Sequence, residues 1–207
     1  QSDIRQQVMN LLGWQIPAEL TARFAAQKPA FDGAYKHYLA GRGYLYRFDH
    51  EDNIAKALVA FNTAINLDPN YGDAYAGLAE AQLRDFIASK DVNSLKAMTE
   101  TVAQLSRLAN EHPLLNYLHG ELESNKGDYQ KAVELLKKSI QQQPKFLKAY
   151  TALSYSYLEL NEVVKAEDIL LQAYSVMPNN SAVLTDLGVF HYGNGDYQQA
   201  ISYFEVL

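Results

Sequence analysis

The 207-residue chain contains no cysteine, which excludes disulfides, thiolate metal sites and thiol nucleophiles. No apolar run approaches the ~18 residues that a membrane-spanning helix requires. The opening QSDIRQQV lacks the basic and apolar regions of a signal peptide. Basic charge is also scarce: 18 Lys and Arg against 24 Asp and Glu give a net charge of -6, with no basic block to neutralise a phosphate backbone. These absences predict a soluble segment, periplasmic or cytoplasmic, that neither inserts into a membrane nor binds nucleic acid.

Catalytic patterns are missing as well. The five histidines, His37, His50, His112, His119 and His191, form none of the spacings that build a zinc site. His119 and Glu123 are four apart and read as a helix-surface pair or a partly buried histidine. Gly41-Arg42-Gly43 lies inside a helical pattern, not between a strand and a helix, so it is no phosphate loop. No Gly-x-Ser-x-Gly or paired-carboxylate arrangement occurs. Accordingly no catalytic, metal or cofactor-binding residue is assigned, and the segment is expected not to be an enzyme.

What the chain does have is a 48% hydrophobic composition, enough for a core, and a repeat. Pro144 to Pro178, Ala132 to Ala166 to Ala200, and Tyr129 to Val163 to Tyr197 each recur at a period of 34 residues. Within a unit, two apolar patterns at helical spacing flank a short polar break, as in Tyr150, Leu153, Tyr157 followed by Val163, Ala166, Leu170, Ala173. Each unit therefore reads as a helical hairpin. At the breaks, Gly127-Asp128 and Gly195-Asp196 pair a glycine suited to a left-handed helix end with an N-capping aspartate. Asn161-Glu162 takes the same place, asparagine being the next best residue for a positive φ. Pro69, Pro113, Pro144 and Pro178 end the second helices. Ala57, Ala132, Ala166 and Ala200 let helices cross closely, and Phe61, Leu136, Leu170 and Phe204, four residues on, fill the neighbouring volume.

Combined over several units, these positions resemble the tetratricopeptide repeat (TPR) family from about residue 34 to 207. The resemblance implies an all-α, right-handed superhelical solenoid of antiparallel helix hairpins, with units near 34–69, 70–113, 114–144, 145–178 and 179–207, the last cut short. Two units depart from the pattern. In the first, the gap from Tyr44 to Ala57 is thirteen residues against nine from Tyr157 to Ala166, so the loop Arg47 to Asp52 is longer by four. In the second, the alanine is replaced by Thr101, and Arg84 to Ser94 predicts extended helices or a protruding loop. Before the repeats, residues 1–33 read as two non-repeat helices, a cap or a linker, with Ile4, Val8, Leu11 and Leu12 on one stripe and Pro17 opening the second. The chain starts with Gln and stops within a helical pattern, which suggests a piece of a longer protein. Its open C-terminal end, with Phe204 and Leu207, is expected to expose apolar surface and to offer a homodimer contact.

Of the 15 tyrosines, Tyr75, Tyr129, Tyr150 and Tyr197 fall at the repeat's aromatic positions and are expected in the core. If first helices line the concave side, as the resemblance implies, the groove carries Tyr35, Tyr38, Arg42, Glu80, Tyr117, Glu121, Lys148, Tyr155 and Tyr192. Leu45, Asp73, Leu83, Thr151, Leu158, Thr185 and Val189 fall on the same face. This aromatic surface of mixed charge suits an extended peptide or an amphipathic helix of a protein partner. The Lys and Asn of the family's carboxylate clamp are absent from the corresponding offsets. The stretches Ala34 to Leu45 and Asp68 to Ala79 look like TPR arrays attached to bacterial Ser/Thr kinases, winged-helix transmembrane regulators and nucleotide cyclases. The leading expectation is thus an interaction scaffold within a larger bacterial signalling protein. The alternative is a stand-alone assembly or biogenesis factor that holds a structural or secretion subunit.

Overall fold

A computed structural model describes residues 32–50 and 52–207. The two helices expected over residues 1–33 lie outside the described residues, apart from Asp32 and Gly33, which open the first described helix. Among the described residues there are ten α-helices and no strand. They are α1 (Asp32–Tyr46), α2 (Asn53–Leu67), α3 (Gly72–Ser89), α4 (Val92–Leu108), α5 (Leu115–Asn125), α6 (Tyr129–Gln142), α7 (Leu147–Glu159), α8 (Val163–Val176), α9 (Ser181–Gly193) and α10 (Tyr197–Phe204). Consecutive helices pack in pairs, and the first helices also touch one another from α1 to α3, α3 to α5 and α5 to α7. The result is an all-α solenoid whose first helices share one side.

Local chemistry sets the hairpin turns. Gly127 and Gly195 have φ of 86° and 81°, and Asn161 enters the same left-handed region at 59°. Asp128 and Asp196 then accept hydrogen bonds from the amides of Lys131 and Gln199, satisfying donors that a helix start leaves open. Glu162 makes no such side-chain bond, although the backbone follows the same path.

Where helices cross, size is decisive. Ala57, Ala132 and Ala166 are fully buried, and the Ser154 hydroxyl donates to the Ala166 carbonyl at 3.0 Å. Glycine serves the same end in the first helices. A Cβ placed on Gly41 or Gly77 would come within 2.7 or 2.4 Å of the Phe61 ring. Phe61 is thereby held between α1 and α3. Gly188 meets Phe204 in the same way, and Gly120 meets Leu136.

The two irregular units resolve differently. Between α1 and α2 the longer connection forms turns carrying Phe48, with the Asn53 amide side chain donating to the Arg47 carbonyl at 2.7 Å. In the second unit the extra residues lengthen helices: α3 has 18 residues and α4 has 17, against 11 in α5. Asp91 caps α4, and the Ser94 hydroxyl donates to Asp85 across the hairpin.

Tyr150 is buried, while Tyr75 and Tyr129 are half-buried. Tyr197 departs from its expected core position: it is 61% exposed and meets only the edge of Tyr192, at 5.6 Å between ring centroids, among the aromatic contacts of described residues. The reason is positional, since no described helix packs beyond α10. Ile201, Phe204, Val206 and Leu207 at this end are exposed too. Among the described residues no helix is long and apolar enough to cross a membrane.

Candidate protein-binding groove

The helical period decides which side chains share the first-helix face. On α7, Lys148, Thr151, Tyr155 and Leu158 recur at three- and four-residue steps, and on α9 Asp186, Val189 and Tyr192 do the same. Thr151 Oγ1 donates to Asp186 Oδ2 at 2.6 Å, which joins the two faces into one surface. Burial keeps the Asp186 carboxyl above its ordinary range, although that hydrogen bond pulls it down.

The C-terminal half of this surface is apolar and uncovered. Tyr155 is 51% exposed and Tyr192 is 64% exposed, with Leu158 and Val189 exposed beside them. Tyr155 meets Tyr129 edge-on at 6.5 Å. Partial desolvation and hydrogen bonding to Glu159 push its phenol up to about 12, so it stays neutral across physiological pH.

The N-terminal half is different, because its polar side chains pair with each other. Glu80 on α3 is buried, and its carboxylate accepts from Arg42 Nη1 on α1 and from Lys148 Nζ on α7, the latter at 2.6 Å. The bridge from α3 to α7 passes over α5. Burial alone would raise the Glu80 carboxyl, but the two cations and their hydrogen bonds outweigh it and hold the group below the usual carboxylate range. Beneath the bridge, Tyr117 is only 4% exposed and packs edge-on against Phe146 at 5.0 Å. Glu121 beside it is raised by burial, despite the Tyr117 hydrogen bond and the nearby Arg84 and Lys148. Tyr35 and Tyr38 are half-buried at the α1 edge, where Tyr38 packs on Tyr71 at 5.3 Å and on Phe61 at 6.0 Å.

The expected groove residues therefore divide. Tyr155, Tyr192, Arg42 and Lys148 reach the surface, Glu80 and Tyr117 form its floor, and Tyr35, Tyr38 and Glu121 form its partly buried walls. Three residues that the repeat offsets did not select also line the N-terminal half: Tyr46, Phe48, and Arg84, whose guanidinium lies 4.5 Å from the Phe48 ring centroid. Arg84 follows Glu80 by four positions, so helical spacing alone could have pointed to it. Phe48 sits in the longer loop, where no repeat offset applies.

Because its folded pKa is lowered, Glu80 contributes stability that is full above the unfolded carboxylate value, about 4.3, and is lost as pH falls through the folded value. Urea unfolding between about pH 6 and pH 3 is expected to show a steep acid limb in the native chain and a shallower one in Glu80→Gln. Equal slopes would remove the bridge from the account. Removing Glu80 also relieves the raised Glu121, which by itself steepens the acid limb and so partly offsets the flattening.

The other chemistry considered from sequence does not assemble. His119 Nε2 lies 3.0 Å from the Ser106 hydroxyl, while Glu123 pairs with Lys126 at 3.3 Å and Lys131 at 3.2 Å. Among the described residues no group of three His, Cys, Asp or Glu is arranged to hold a metal ion. Gly41 and Gly43 lie within α1.

Among the described residues this geometry defines a class, the stack of antiparallel helical hairpins. Residues 126–173 match the family described as Tetratricopeptide repeat, which covers the hairpin break at Gly127 and most of α6, α7 and α8. Over 98 residues, 47% of this chain, the sequence is 29% identical to the BBSome complex member BBS4 of Bos taurus; the match spans 19% of that protein's length. Among solved structures, the thermophilic TPR protein TTC0263 of Thermus thermophilus superposes with a TM-score of 0.68 at 19% identity, over 83% of this chain and 88% of that one. Pseudomonas aeruginosa PilF does so with a TM-score of 0.63 at 19% identity, over 84% of this chain and 75% of its own. The fold is thus the TPR fold, one that generally serves protein–protein interaction.

Proposed function

We propose that the chain is an assembly scaffold that holds a segment of a partner protein along the first-helix face. The observation that carries this is the uncovered row Tyr155, Leu158, Val189 and Tyr192 on α7 and α9. Tyrosine there offers rigid apolar area with a hydrogen-bonding tip, at small cost in side-chain entropy. An extended or helical apolar segment fits such a row, since either presents side chains at regular steps.

A role in assembly is preferred to attachment to a kinase, winged-helix or cyclase output domain. Similarity to a member of a multiprotein complex supports the first; the second rests on the look of Ala34 to Leu45 and Asp68 to Ala79 alone. A photo-crosslinking residue placed at Tyr155 or Tyr192 in the native cell is expected to yield one discrete adduct, in a complex of constant stoichiometry. The same residue at Lys138, exposed on α6, should not. Equal labelling from Lys138 would sink the groove, and a kinase or cyclase domain in the same polypeptide would sink the assembly role.

A further inference from the structure

Where the longer loop between α1 and α2 meets the lengthened α3, the groove widens into a depression of about 470 Å³ lined by Arg42, Leu45, Tyr46, Phe48, Glu80, Arg84 and Lys148. Its charge is layered. Glu80 lies in the floor and Glu121 is partly buried next to it, while Arg42 and Lys148 keep 41% and 46% of their side-chain surface open to solvent. An approaching chain therefore meets cations first, although the whole protein carries a net charge of -6.

Arg84 is the distinctive member. Arg42 and Lys148 are both committed to Glu80, but Arg84 makes no ion pair with a carboxylate among the described residues. Its guanidinium instead lies over the Phe48 ring, with Glu121 near enough to feel its charge, and a guanidinium's planar fork of donors suits bidentate contact with a carboxylate. Beside it, Tyr46 is almost fully exposed and Phe48 is partly exposed, an aromatic shelf next to a cationic edge. Both departures from the regular repeat contribute here, because Phe48 comes from the inserted loop and Arg84 from the second half of the long α3.

We infer that this depression binds an Asp or Glu side chain of the partner segment, next to a large apolar residue that packs on Phe48 and Tyr46. The inference rests on the groove reading above and adds the partner's chemistry and direction: acidic toward α1 and α3, apolar toward α7 and α9. Charge complementarity favours the carboxylate, and the aromatic shelf favours an apolar neighbour over a purely acidic run.

The test uses the 207-residue chain against a phage-displayed library of random dodecapeptides. Enriched peptides are expected to carry Asp or Glu within two positions of Leu, Phe, Tyr or Trp. Affinity of the best fluorescein-labelled peptide, read by anisotropy, should fall about tenfold or more in Arg84→Gln and in Phe48→Ala. Arg84→Lys, which keeps the charge and loses the fork, should fall between Arg84→Gln and the native chain. Unchanged melting temperatures in the variants would assign the losses to binding. Enrichment of peptides without acid, or Arg84→Gln binding as tightly as the native chain, overturns the inference. If such peptides still lose binding in Tyr155→Ala and Tyr192→Ala, the groove reading stands without it. No enrichment at all overturns both.

Discussion

Phe61→Ala is expected to lower the unfolding free energy by about 3–5 kcal/mol, the largest loss from any single truncation in the N-terminal hairpins. Phe61 is fully buried, and its ring is pressed from both sides by the Cα positions of Gly41 and Gly77. Neither glycine has a side chain that could move into the void, so collapse around it requires a shift of α1 or α3 as a whole. Urea denaturation at neutral pH measures the loss, and a decrease under about 1 kcal/mol would show that the ring is not the keystone described. The pairing has a second signature. Gly77→Ala alone puts a Cβ against the ring and should be costly, whereas in the Phe61→Ala background the new methyl enters vacated space. Additive costs in that double variant would contradict the close approach.

The second large effect concerns binding. Tyr155→Ala together with Tyr192→Ala should weaken capture of the partner at least about a hundredfold, while the melting temperature stays within a few degrees of the native value, because both rings are mostly in water. Tyr117→Ala should do the reverse. That ring is buried against Phe146, and its loss is expected to cost about 3 kcal/mol of stability, so weakened binding would follow from a damaged fold. Circular dichroism melts run beside the binding assay separate the two cases. A stable Tyr117→Ala protein that still fails to bind would place Tyr117 in the contact surface instead.

Sequence periodicity was sufficient for much of this. The 34-residue spacing located the turn at Gly127, its asparagine counterpart at Asn161, and the small residues Ala132 and Ala166 at the crossings, because each answers to one helix pair and its immediate neighbours. Exposure along the groove was less legible. Tyr117 and Tyr155 stand on the same face by repeat offset, yet one is floor and the other surface, since the difference depends on Phe146 and on how closely α3, α5 and α7 approach. The Arg84–Phe48 contact was further out of reach. It joins the long α3 to an inserted loop, and the conformation of an insertion is not carried by the repeat that it interrupts.

The Lys148–Glu80 bridge bears on how the molecule comes apart. In a stack where units touch only their neighbours, stability is nearly a sum of local terms, and ends can fray independently. A side chain on α7 bound to one on α3, across the intervening α5, violates that locality. The second, third and fourth hairpins are tied into one cooperative block, so loosening the middle one also severs a contact that it does not itself make. The polar half of the groove is thereby the stiff half, and the adaptable surface lies toward α9.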